Sequence, residues 1–85
     1  MIVKVKTNFL GHPQLEIEMP TLRKVLLHLS ERDKISIFNP ERQEVLSDFK
    51  VYLNGVEFEA LPHGIDTEIK QEDEVEVTFV ILAGG

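Results

Sequence analysis

Two segments at opposite ends of the chain alternate apolar and polar residues, and a single helical stripe lies between them. From Ile2 to Phe9, the residues Val3, Val5, Thr7 and Phe9 share one face, with Lys4 and Lys6 on the other. At the far end, Val75, Val77, Phe79 and Ile81 alternate with Glu76, Thr78, Val80 and Leu82. A period of two marks a strand with one buried face. Between them Leu22, Val25, Leu26 and Leu29 stand at i, i+3, i+4 and i+7, the apolar stripe of one helix. One helix can cover one face of a sheet, not both. The spacing therefore predicts an α+β domain with a mixed sheet packed on one main helix. Its first and last strands are expected side by side, in parallel, at the centre.

The remaining segments fill in around this frame. Leu15, Ile17 and Met19 alternate with Gln14, Glu16 and Glu18 after the turn signal Gly11-His12-Pro13, which predicts an N-terminal antiparallel hairpin. Thr21 is placed to cap the helix, whose run ends at Ser30-Glu31-Arg32-Asp33. Residues 34–48 admit two readings, a short strand over Ile35, Ile37 and Phe38 or a helical turn over Glu41 to Leu46. Phe49, Val51 and Leu53 alternate with Lys50, Tyr52 and Asn54. Asn54-Gly55 then calls for a tight hairpin turn into Val56-Glu57-Phe58-Glu59. Leu61-Pro62-His63-Gly64 is a turn, and Ile65 to Ile69 is too short for a full helix.

Composition closes off several functions. The 85 residues carry 15 acidic and 9 basic side chains, a net charge of −6, and no cysteine. Disulfide scaffolds, thiolate metal sites and cysteine nucleophiles are excluded. The sequence pI near 4.9 argues against a phosphate-backbone binder. No stretch approaches the roughly 18 apolar residues of a membrane span, and the alternating N-terminus does not read as a signal peptide. A cytoplasmic protein is expected, with no nucleic-acid or membrane partner. At this size about 60–65% of the unfolded surface is buried, enough for one core but not for a deep cleft.

Catalytic motifs are missing. Ser30, Ser36 and Ser47 sit in no nucleophile-elbow pattern, and His12, His28 and His63 lack metal-ligand spacing, so no metal or bound cofactor is expected. Acid pairs such as Glu16/Glu18 and Glu74/Glu76 alternate with core residues and should face water. Glu57 to Glu76 holds eight acids against Lys70 alone, a solubility feature that becomes a docking rim beside a basic partner. Val80 and Leu82, at the end of a polar strand face, form an apolar pair fit to anchor a partner, with Phe58 as a further contact. The final Ala83-Gly84-Gly85 carries little steric bulk, and the carbonyl of Gly85 is unhindered for activation by adenylation.

In this order the pieces resemble the ubiquitin-like β-grasp sulfur carriers of the MoaD/ThiS family. The matching segments are Thr21-Leu22-Arg23-Lys24-Val25-Leu26, Val51-Tyr52-Leu53-Asn54-Gly55, Gly64-Ile65-Asp66-Thr67-Glu68-Ile69, Asp73-Glu74-Val75 and Ala83-Gly84-Gly85. The chain departs from the family at Glu72, where glycine is common, and in the fully apolar Val80-Ile81-Leu82, where many relatives carry proline. The resemblance implies a β-grasp domain over residues 1–82 and a mobile tail over 83–85. It implies a carrier or non-catalytic subunit, not an enzyme. A ubiquitin-activator-like adenylyltransferase would use ATP to adenylate Gly85, and sulfur would then replace AMP to leave a thiocarboxylate. Gly84 would supply reach into a partner's active site, and Val80, Leu82, Ala83 and Phe58 would contact that partner. Chain length points to the small subunit of molybdopterin synthase, acting with its large subunit in molybdenum cofactor biosynthesis. The alternatives are a carrier for thiamine or tRNA thiolation, and a ubiquitin-like modifier joined to lysines through Gly85.

Overall fold

The computed structural model describes residues 1–80. Its elements run β1 (Ile2–Thr7), β2 (Gln14–Glu16), α1 (Leu22–Asp33), β3 (Phe38–Asn39), β4 (Glu44–Val45), β5 (Phe49–Leu53), β6 (Val56–Glu57) and β7 (Val75–Phe79). Five strands form one sheet in the order β2-β1-β7-β5-β6, and β3 and β4 form a separate two-stranded ladder. β1 and β7 pair in parallel, with Val5 opposite Val75 and Thr7 opposite Val77. β7 also pairs antiparallel with β5, which places it at the middle of the sheet as expected.

The core follows from the alternation. Val3 and Val5 of β1, Val51 and Leu53 of β5, and Val75 and Val77 of β7 present one buried face. Onto it packs the helix stripe of Leu22, Val25, Leu26 and Leu29, all fully buried. Each such aliphatic side chain contributes about 1.5–3 kcal/mol on leaving water. Thr21 caps the helix, its Oγ1 accepting from the Lys24 N–H at 3.2 Å. At the other end Lys34 takes a left-handed conformation (φ 55°), and its N–H returns to the Ser30 carbonyl. The segment after the short 3₁₀ turn Gly64–Asp66 also seals the helix start, because the Leu22 N–H donates to the Thr67 carbonyl and the Ile69 N–H to that of Pro20.

Asn54 and Gly55 turn the β5–β6 hairpin with φ of 52° and 82°. Both positive angles belong to the two-residue turn whose twist suits paired strands. Asn54 does more than turn. Its Nδ2 donates to Asp73 Oδ1 at 3.0 Å and its Oδ1 accepts from the Glu74 N–H at 2.9 Å, so the hairpin tip holds the lead into β7.

One open reading is decided and three expectations need correction. The middle section is a β3–β4 hairpin, with Phe38 opposite Val45, and not a helical turn over Glu41 to Leu46. Ile37 and Phe38 are buried there, and tertiary packing decided between two short readings that propensity left equal. Met19, expected on the buried face of the second strand, is 83% exposed with φ of 46°, because the chain must bend there to reach Pro20 and the helix. β6 stops at Glu57, and Phe58 opens a 3₁₀ turn through Ala60 instead of extending the strand. Phe79, expected in the core, is 38% exposed. Its parity is right, since it sits opposite the buried Phe49, but it lies at the end of β7.

Candidate functional site

β7 ends at Phe79, six residues before Gly85 in the sequence, and four groups hold that end. Phe79 faces Phe49 across the β5–β7 ladder with ring centroids 5.4 Å apart, edge to face. Phe9, just past β1, completes a cluster at 5.4 Å from Phe49 and 6.3 Å from Phe79. Such tilted pairs add about 0.5–1.5 kcal/mol each beyond the area they bury. On the β1 side the Phe79 N–H donates to Asn8 Oδ1 at 2.8 Å, and Asn8 Nδ2 donates to the Phe79 carbonyl at 3.0 Å. On the β5 side the Val80 N–H donates to the Asp48 carbonyl at 2.7 Å.

The site residues expected from sequence fall unevenly around this strand end. Val80 is half-buried at the end itself. Phe58, also half-buried, lines a shallow groove with Val45, Leu46 and Phe49, so it borders the aromatic cluster from the β6 side. Leu82, Ala83, Gly84 and Gly85 lie outside the described residues. Sequence reasoning missed Asn8 and assigned Phe9 and Phe79 to the core. Phe9 and Phe79 each end an alternating run, a hint that a buried face was finishing; nothing local marked Asn8.

The acids do not form one continuous rim. Asp66 is held by Arg23 at 2.8 and 3.1 Å, and this two-point bond keeps its carboxyl below the usual range. Arg23 also lies 5.5 Å over the Phe38 ring, tying the helix to β3. Asp73 is likewise lowered, first by the Asn54 amide and then by the Lys70 N–H at 2.7 Å. Glu57 pairs with Lys50 at 3.6 Å. On the outer face of the sheet Lys6 of β1 stands directly opposite Glu76 of β7. His12, His28 and His63 are exposed. A groove of about 690 Å³ beside Lys4, Lys6, His12 and Gln71–Glu74 lies toward the other end of β7. Its lining sets no nucleophile beside a base.

Comparison with solved structures places this geometry. A Haloferax volcanii protein, HVO 2177, superposes with a TM-score of 0.76 at 22% identity, over 100% of this chain and 87% of that one. SAMP1 from the same organism gives 0.73 at 16% identity, over 100% of both chains. A chain of the Amycolatopsis orientalis BexX/CysO complex gives 0.69 at 20% identity, over 98% of this chain and 99% of that one. This chain has the ubiquitin-like β-grasp fold. These neighbours are consistent with the β-grasp sulfur-carrier family that the sequence resembles. At these identities the likeness is one of fold, and it does not single out the molybdopterin synthase small subunit. No protein-family model and no curated protein matches the chain. Among the described residues no helix is long and apolar enough to cross a membrane.

Proposed function

We propose that the protein is a ubiquitin-like sulfur carrier and not an enzyme in its own right. One observation carries the reading. A β-grasp body, shared with SAMP1 and CysO, holds the end of β7 on both edges five residues before Gly85. In the proposed reaction a ubiquitin-activator-like adenylyltransferase binds ATP, and the Gly85 carboxylate attacks the α-phosphorus. Pyrophosphate leaves, and an acyl-adenylate remains. A sulfide equivalent then attacks the acyl carbon and expels AMP, leaving a thiocarboxylate in which one oxygen has become sulfur. Gly84 and Gly85 offer no Cβ to obstruct a narrow channel. The body supplies recognition through Val80, Phe58 and the exposed edge of Phe79, with Leu82 and Ala83 following them into the partner. The CysO complex supports a carrier that seats on a partner enzyme. The acceptor proposed is the large subunit of molybdopterin synthase, in molybdenum cofactor biosynthesis, on the length of the chain between helix and third long strand.

Intact-mass spectrometry tests this. With ATP, sulfide and an activating enzyme, the protein is expected to gain the mass of one oxygen-to-sulfur exchange. Deleting Gly85 shortens the reach by about 3.3–3.6 Å and is expected to abolish the gain. Equal loading of both proteins would sink the reading. Lysine-linked conjugates would establish a modifier instead, and sulfur delivered to tRNA or a thiamine precursor would redirect the acceptor.

A further inference from the structure

We propose that Asn8 is a positioning residue for the reaction of the C-terminus, an inference that rests on the carrier function above. The parallel ladder between β1 and β7 ends at Thr7 opposite Val77. There the β1 backbone turns away, with the Thr7 N–H bonded to the Gly11 carbonyl at 3.0 Å and Thr7 Oγ1 accepting from the Leu10 N–H at 2.8 Å. Phe79 is thereby left without a backbone partner on that side. The Asn8 side chain takes its place. A primary amide carries an acceptor oxygen and a donor nitrogen on one planar group, the same pair that a peptide edge offers. Both are used, at 2.8 Å to the Phe79 N–H and 3.0 Å to its carbonyl. Asp would lack the donor, and Ser would reach with one atom where two are needed.

The pair is solvent-exposed, so its main consequence is geometric. With Val80 bonded to Asp48 on the opposite edge, the backbone is fixed up to the fifth residue before Gly85. Five residues span at most roughly 17–18 Å. Without Asn8 the end of β7 is held on its β5 edge alone; if Phe79 and Val80 then fray together, the stretch between held backbone and Gly85 grows from five residues to about seven, and an effective concentration that falls as about the −3/2 power of length drops roughly 1.7-fold. Asn8 supplies the β1-side half of that hold.

The test uses the full chain and two readouts. In Asn8→Ala, hydrogen exchange at the Phe79 amide is expected to speed up about tenfold or more, while that at Val77 stays as in the wild type. With ATP, sulfide and the activating enzyme, the sulfur-loading rate at saturating carrier is expected to fall about 1.7-fold, at an unchanged half-saturating concentration. Asn8→Gln, which keeps the amide on a longer stem, is expected to recover part of that rate. Unchanged exchange at Phe79, or wild-type loading with Phe79 released, would overturn the inference. So would a higher half-saturating concentration at an unchanged saturating rate, since that pattern assigns Asn8 to stability alone. A wild-type protein that gains no sulfur would overturn the carrier reading itself, and this inference with it.

Discussion

The two ends of β7 are built on different principles. At its start Val75 and Val77 are fully buried beneath the stripe of α1, and the strand is held by ordinary ladder bonds to β1 and β5. At its finish Phe79 is 38% exposed; the β5 ladder continues, but on the β1 side a side-chain amide replaces the ladder, and two neighbouring rings flank the strand end. The contrast teaches where stability and interaction separate along one strand. Burial stabilises the first half, whereas the second half keeps an apolar edge available at a fixed place.

Substitutions at the two ends should separate these roles. Leu26→Ala, in the stripe that covers the sheet, is expected to cost about 2–5 kcal/mol in denaturant unfolding, as for other buried leucines. Near-wild-type stability would remove the distinction between the ends. Phe79→Ala is expected to cost less, about 1–2 kcal/mol, because part of the ring already meets water; a fully buried phenylalanine would lose about 3–5 kcal/mol. The same variant is expected to weaken binding to the activating enzyme, which Leu26→Ala does only by lowering the folded fraction.

Asn54 sharpens the comparison from the opposite side, because its amide locks the lead into the buried end. Asn54→Ala removes two hydrogen bonds and strains a φ of 52°, with an expected cost of about 1–2 kcal/mol. The smallest effect is that of pH. Asp73 titrates below its ordinary range in the folded protein, so it contributes stability that is present above the unfolded value near about 3.9. That contribution is lost as pH falls through the lower folded value. Urea midpoints measured between pH 5 and pH 3, as approximate bounds of that window, should fall less steeply in Asn54→Ala than in the wild type. An identical pH slope would show that the Asn54 amide does not hold Asp73.

Much of this was legible before any coordinates. The alternation of Val3, Val5 and Thr7, the helix stripe and the Asn54-Gly55 turn each repeat a local period that the backbone obeys wherever it packs. Residues 34–48 were not legible, because two-residue strands carry no period, and only the burial of Ile37 and Phe38 against the core selects the hairpin. The site was legible in part. Val80 and Phe58 were named as partner contacts from their apolar character, and only the fold shows that both lie beside the aromatic cluster; Met19 and Phe79 were misassigned by extending an alternation past the ground that the core covers.

Sequence alone determined the class of fold, the parallel pairing of the first and last strands, and the glycine pair on which the proposed chemistry rests. These depend on period and composition, which are local. Only the tertiary structure decided where the buried face ends, which acids are already bonded, and that Asn8 meets Phe79 from 71 residues away in the chain. The reason is physical. A side chain reports its own polarity, but whether it is covered, paired or left at an edge depends on groups that approach it only once the chain has folded.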